Sequence, residues 1–295
     1  MRFGLVGTGY WARTCHARAL AAAPNVEFAG VWGRSPGPTR ALAEEFGVRA
    51  FDSVDDLLAS VDAVSFAVPP DVQGPLAARA GAAGKHLLLD KPAADRLDVA
   101  DRVASAVAES GAAALVFHTS LFQPEVAAWV DEAEGQGWEG ATAEWICSPL
   151  ADGGSPYLRS GWRWSRGATW DVGPHALSLV LPLLGPVVRV QAAGGRGDLV
   201  AAVMEHESGA LTSLSWTLRA PQGADRTNLE LWGAAGRIRK PDARTGAVDA
   251  MTGALTTLVA IAEGRVAGHR SDLRFGREVV RILSEIDERV GMNRG

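Results

Sequence analysis

The stretch Phe3-Gly4-Leu5-Val6-Gly7-Thr8-Gly9-Tyr10-Trp11-Ala12 decides how this chain is read. A strand-like run enters Gly-x-Gly-x-x-Ala, and a helix-length segment, residues 11–22, leaves it. In that context the spacing is a dinucleotide fingerprint. The first glycine permits a tight turn, the second lets the backbone approach a pyrophosphate, and the alanine lets helix pack closely on sheet. Phosphates then sit at the helix N-terminus, where unpaired N–H groups and the dipole favour anions. The bland alternative is a glycine turn that binds nothing, and the units that follow weigh against it.

Further strand-like runs lie at residues 26–32, 63–68, 86–89 and 113–117, with a weaker one at 48–51. Helix-length segments at 38–46, 54–59, 72–83 and 96–108 separate them. Ser53, three residues ahead of Asp56, marks a helix start, and Gly47, Gly84 and Gly111 stand where helices should stop. Strands apolar throughout, alternating with helices, imply a parallel sheet covered on both faces. The fold class is therefore α/β: residues 1–117 are expected to form a doubly wound Rossmann domain.

Past residue 118 the rhythm changes. A helix at 124–134, a strand at 141–147, an irregular aromatic loop and a helix at 174–184 come first. Strands at 187–192, 199–206, 211–218 and 228–232 follow, and Val279, Ile282, Leu283 and Ile286 give the tail helical periodicity. Residues 118–295 are expected to form a C-terminal α+β domain on a mostly antiparallel sheet, whose exposed face would make a homo-oligomer natural.

Composition excludes several classes. With 295 residues, 47% hydrophobic and 21% charged, the chain has an ordinary globular balance. A net charge of −5 without a basic block argues against a nucleic-acid partner. The apolar stretches at 63–68 and 177–188 are too short to span a membrane. Met1-Arg2 runs straight into a strand with no signal-peptide pattern, so the expected localisation is cytoplasmic. Cys15 and Cys147 offer neither a disulfide framework nor a thiolate metal site, and no metal is expected.

The end of the second strand bears on the adenosine side. An acidic residue there would hold the ribose 2′-hydroxyl of NAD. This chain reads Val31-Trp32-Gly33-Arg34-Ser35, and a guanidinium beside a hydroxyl suits a 2′-phosphate better. NADP is thus preferred over NAD, although Arg34 stacking on adenine would tolerate both.

These features, with Ala67-Val68-Pro69-Pro70, the run Gly84-Lys85-His86-Leu87-Leu88-Leu89-Asp90-Lys91-Pro92, Asp171-Val172-Gly173-Pro174-His175 and the tail from Arg274 to Val280, resemble the glucose–fructose oxidoreductase/inositol dehydrogenase (Gfo/Idh/MocA) family over nearly the whole chain. The resemblance implies a nicotinamide-dependent oxidoreductase acting on a sugar, cyclitol or related small polar substrate. It implies that Lys91, Asp171 and His175 are catalytic. The cofactor would be held by Gly7, Thr8, Gly9, Tyr10, Trp11, Arg34, Ser35, Val68, Pro69, Asp90 and Lys91. The sequence departs from the family pattern at Asp90 (usually glutamate), Gln73 (often histidine), Ser178 (often aspartate) and Leu121 (often arginine).

Exchanging an alcohol for a carbonyl moves a hydride and a proton; the cofactor handles the hydride and the protein the proton. A histidine suits that task, a carboxylate can orient it, and a lysine can stabilise charge on the oxygen. His175 is read as acid/base, Lys91 as oxygen-polarising partner and Asp171 as orienter, with Lys91 and His175 interchangeable. The bland readings are an N-cap for Asp171, a packed histidine and a solvated lysine. Asp171 and His175, four apart, would share one helix face. Tyr157, Trp162, Arg163 and Trp164 are candidates for the substrate pocket, or else a tryptophan-rich packing loop. Two rivals keep the fold: an NAD-dependent glycoside hydrolase and a non-catalytic NADP-binding redox sensor.

Overall fold

β1 (Arg2–Val6), buried from Phe3 onward, lies inside a six-stranded parallel sheet in a computed structural model that describes residues 1–151 and 154–292. Around it stand β2 (Glu27–Trp32), β3 (Arg49–Ala50), β4 (Ala63–Phe66), β5 (His86–Asp90) and β6 (Ala114–Phe117), in the order β3-β2-β1-β4-β5-β6. β4 is buried at all four positions, as a strand covered on both faces must be. The connecting helices are α1 (Ala17–Ala22), α2 (Pro36–Phe46), α3 (Val54–Ser60), α4 (Pro70–Ala82) and α5 (Leu97–Ser110). Ser53 caps α3 by accepting from Asp56 N, and Gly47 and Gly111 end α2 and α5 in the left-handed conformation. The segment after the glycine turn is not a plain α-helix: Ala12–His16 forms a π-helical turn that runs into α1.

The second sheet is built from β7 (Trp138–Ile146), β8 (Val187–Gly194), β9 (Val200–His206), β10 (Leu211–Thr217), β11 (Arg226–Gly233) and β12 (Gly236–Arg239). Its order is β12-β11-β7-β10-β9-β8, antiparallel except for the parallel pair β7–β10. Burial alternates along β9 and β10, so one face is packed and the other is open. On the packed face α8 (Gly173–Leu184) lies against β7 and α7 (Gly161–Asp171) against β10; α6 (Pro124–Ala133) packs on α8, and the later turns of α10 (Leu273–Met292) meet α8 at Leu283 and α7 through Asp287. Trp170 and Trp216 are its largest buried side chains.

The two compact units do not divide the chain at 117/118 as expected. One comprises Met1–Gln123 with Thr245–Glu278; the other comprises Pro124–Arg244 and the chain from Val279 on. The returning segment holds α9 (Ala247–Ala262), a helix absent from the sequence reading. Ala250, Met251, Ala254, Leu255 and Leu258 are fully buried in the first unit, where α9 packs on α1, β5 and β6. Their spacing is helical and was legible in principle. Two cross-links tie the segment down. Gln123 Nε2 donates to Thr245 O (2.8 Å), and Val116 and Ser271 pair through backbone and hydroxyl (2.9 and 2.7 Å).

The aromatic stretch before Asp171, expected to be irregular, is a 3-10 turn (Pro156–Arg159) followed by α7, which is kinked at Gly167. Glycines and aromatic residues are weak helix formers, which hid it. α7 ends at Asp171 and α8 begins at Gly173, so Asp171 and His175 lie on different helices rather than on one face. Pro174, lacking an N–H, starts the new helix. Val172 occupies the N-cap position, which removes the N-cap reading of Asp171.

Candidate active site

Within the first unit the chain reverses sheet direction between β1 and β4, and ligands of open α/β sheets bind beyond the strand ends at such a point. The register Val6↔Trp32 and Val6↔Phe66 brings the end of β1 level with those of β2 and β4. Gly7, Thr8, Gly9, Tyr10 and Trp11 follow β1; Arg34 and Ser35 follow β2; Val68 and Pro69 follow β4. Asp90 ends β5 and Lys91 follows it, level with Phe117 of β6. All eleven cofactor candidates therefore lie along one edge of one sheet.

Gly7 has φ +131°, and a Cβ there would stand 2.4 Å from Ala67 O, so the β1 turn presses on the chain leaving β4. Gly7 N donates to Trp32 O (2.9 Å). Above Gly9 a Cβ would meet nothing within 4 Å, which leaves open space in front of the helix N-terminus. First-turn N–H groups have no intrahelical acceptor and can turn to a phosphate. Arg34 is exposed and makes no hydrogen bond or ion pair among the described residues. Ser35 precedes α2 without capping it. This edge fits a dinucleotide.

Lys91 and Asp90 are half-buried, and Asp90 Oδ1 accepts from Lys91 N (2.8 Å). The Lys91–Pro92 peptide is cis. Beneath them Cys15 is buried, and burial together with the Asp90 charge pushes its thiol up to about 12, so it stays protonated. His118, next after β6, is fully buried. Ser271 Oγ donates to Val116 O (2.7 Å) and therefore accepts from His118 Nδ1 (2.7 Å), which places the imidazole proton on Nδ1. Burial, then the charges of Lys91 and His269, lowers His118 to about 3; it is a neutral residue at working pH. Gln73, which the sequence marks only as a departure from the family pattern, is buried and hydrogen-bonded to the segment carrying Lys91.

In the second unit Asp171 ends α7 and His175 lies in the first turn of α8, half-buried. Arg163 Nε donates to Asp171 Oδ2 at 2.8 Å, with side chains 16% and 10% exposed, so the pair is largely withdrawn from water. The guanidinium lies between Tyr157 and Trp162, 4.3 and 4.5 Å from the two ring centroids. Ser178, where the resemblance led one to look for aspartate, donates to His175 O (2.9 Å). Trp164 is apart from this cluster: Arg219 stacks on it at 4.6 Å and its Nε1 donates to Leu158 O. It borders a cavity of about 260 Å³ lined also by Arg166, Asp198, Arg219 and Asp287, which none of Tyr157, Trp162, Arg163 and Asp171 lines. The four substrate candidates thus fall into two groups, three around Asp171 and one beside this cavity.

The strand order and the glycine turn at its reversal define a Rossmann protein of the dinucleotide-binding class. The model of an oxidoreductase family with an NAD-binding Rossmann fold, GFO/IDH/MocA, matches residues 1–118, and that of the GFO/IDH/MocA C-terminal domain matches residues 143–239. The chain belongs to the GFO/IDH/MocA family. It is 32% identical over 209 residues to dTDP-3,4-didehydro-2,6-dideoxy-alpha-D-glucose 3-reductase of Streptomyces violaceoruber, an alignment spanning 69% of this chain and 60% of that protein. The solved structure of UDP-N-acetylglucosamine 3-dehydrogenase GnnA from Acidithiobacillus ferrooxidans has a similar fold (TM-score 0.85, 23% identity, covering 99% of this chain and 98% of that one). So does the WlbA dehydrogenase from Bordetella pertussis in complex with NADH and UDP-GlcNAcA (TM-score 0.85, 21% identity, 99% and 96%). No described helix is long and apolar enough to cross a membrane.

Proposed function

We propose that this chain is an NAD(P)-dependent dehydrogenase or reductase that interconverts hydroxyl and carbonyl groups on a sugar or nucleotide-sugar. The observation that carries the reading is the shared sheet edge, which sets Lys91 on the same side as the glycine turn, two strands away. The named activities of the relatives support the substrate class: a nucleotide-sugar 3-reductase, a UDP-N-acetylglucosamine 3-dehydrogenase and a galactose 1-dehydrogenase.

When bound, the nicotinamide supplies the hydride acceptor or donor. The ammonium of Lys91 stabilises negative charge on the reacting oxygen, and His175 takes or returns the proton. Asp171 holds the imidazole in a productive orientation, itself fixed by Arg163. Tyr157, Trp162 and Arg163 offer ring faces and a guanidinium to the sugar. Arg34, at the end of β2 in place of a carboxylate, favours NADP. Neither Cys15 nor Cys147 is in a disulfide, which accords with work in the cytoplasm.

Sugars, ketosugars and nucleotide-sugars screened for an absorbance change at the nicotinamide band, with Lys91→Ala and His175→Ala as controls, test the assignment. Each variant is expected to lose about 100-fold or more in kcat, far more than it loses in cofactor affinity. Full turnover in both sinks the reading.

The open face of the second sheet supports a homo-oligomer. Val203 and Leu211 are 44% and 50% exposed, and Ala201, Ser213 and Thr142 beside them are small, a flat surface suited to a second copy. Light scattering is expected to give a mass of two chains or more; a monomer at micromolar concentration removes this part of the proposal.

A further inference from the structure

Gln73 lies in the second turn of α4, 1% exposed, with its amide among backbone groups of the chain leaving β5. Its Nε2, with two N–H groups, reaches three carbonyls, Asp90 O (2.7 Å), Pro92 O (3.0 Å) and Ala93 O (3.2 Å), so that one N–H is shared, and its Oε1 accepts from Asp90 N (3.0 Å). Every hydrogen bond found for this side chain ends on residues 90–93, and they bracket Lys91 from both sides. Buried backbone carbonyls need partners, and strand pairing supplies none beyond the end of β5. One side chain therefore does here what a neighbouring strand does elsewhere.

The approach is enforced by the neighbouring residue. A Cβ at Gly74 would stand 2.4 Å from Val99 Cγ1 and 3.3 Å from Ala94 Cβ, so α4 lies against α5 and the segment after Pro92 as closely as backbone allows. Pro92, Ala93 and Ala94 are buried in turn, and Lys91 is the one residue of the four from 91 to 94 that reaches toward solvent. The amide is thus fixed before it makes its bonds, and the loop it holds has one emerging side chain.

We infer that Gln73 is the positioning residue for Lys91: it sets where the ammonium stands at the edge that holds the dinucleotide, without touching substrate or cofactor itself. The inference rests on the reading of Lys91 as catalytic for its consequence in turnover, but its structural content stands apart. A displacement of about 1 Å of a catalytic group costs about 100-fold in rate, so the amide's contribution should appear in kcat rather than in cofactor affinity.

The test needs no known substrate. The chain has three lysines, Lys85, Lys91 and Lys240. Reductive ¹³C-methylation of the intact protein gives each a separate carbon resonance, assigned through Lys→Arg variants. Lys85 and Lys240 act as internal references, since their ammonium groups donate to Val61 O and Pro241 O, away from this loop. Gln73→Met keeps the volume and removes all four hydrogen bonds. We expect the Lys91 resonance to shift and broaden while the other two stay in place. In a found assay kcat should fall about tenfold or more, with the dissociation constant for cofactor within about twofold.

Should Gln73→Met not yield folded protein, Gln73→His, which retains one ring donor and one acceptor, carries the same test and is expected to move the Lys91 resonance less far than loss of all four bonds. A folded variant with Lys91 unmoved overturns the inference. The control Lys91→Met separates the two claims. Normal turnover in that control sinks the catalytic reading of Lys91; an inactive control beside an unmoved Lys91 resonance in Gln73→Met sinks only the positioning role.

Discussion

The glycine-turn edge of the first unit and the Asp171 cluster of the second are built by opposite means. The first is made of backbone: a turn at Gly7, open space over Gly9 and strand ends in register. The second is made of side chains: a withdrawn Arg163–Asp171 pair between two aromatic rings. A backbone cradle has no protonation state and few rotamers, so it tolerates change in its neighbours but none at its glycine. A side-chain cluster tolerates change in its backbone but none in its charge balance. Three substitutions probe that contrast.

Gly7→Ala should have the largest effect. The residue would have to hold φ +131° with its methyl 2.4 Å from Ala67 O, which costs about 3 kcal/mol from strain and overlap together. A fall in Tm of roughly 6–12 °C and loss of dinucleotide binding are expected by thermal melting and fluorescence titration. A variant with unchanged Tm would break the account of the turn.

Asp171→Asn comes next. It leaves a guanidinium that is 16% exposed without its carboxylate, a loss of about 2 kcal/mol. Adding Arg163→Met should restore part of that stability, because removing both partners costs less than removing one. If the double variant is no more stable than Asp171→Asn, the pair is not what holds the cluster.

Arg34→Ala should be the mildest. It removes one exposed guanidinium, so NADPH should bind about tenfold more weakly while NADH affinity is unaltered. Equal affinity of the native protein for both cofactors would remove the preference for NADP from the proposal.

The same contrast explains what could be read in advance. The strands of the first sheet and the glycine turn follow from spacing within a few residues, and the sequence places them to within a residue or two. The Gly-x-Gly-x-x-Ala helix was also expected, but not its π-helical opening, because one extra residue per turn leaves no mark on apolar periodicity. The pairing of Arg163 with Asp171 spans α7, and the separation of Trp164 from Trp162 depends on which side of a kinked helix each occupies. Neither is a local property. Gln73 stood out only as a departure from a family pattern, since a buried amide is recognised by the carbonyls it meets and these lie 17 to 20 residues further on. The parallel pair β7–β10 was hidden for a related reason: 64 residues separate Ile146 from Leu211, and pairing over such a distance is a matter of topology.

The return of residues 245–278 to the first unit has a consequence for how the protein is made. A nascent chain that has just released residue 123 has every strand of the parallel sheet yet lacks α9, the helix that packs on β5, β6 and the π-helical turn. Residues 245–278 must be made before that flank is sealed. Until then the ribosome-tethered intermediate leaves an apolar surface uncovered, the kind of surface that makes folding intermediates prone to aggregate.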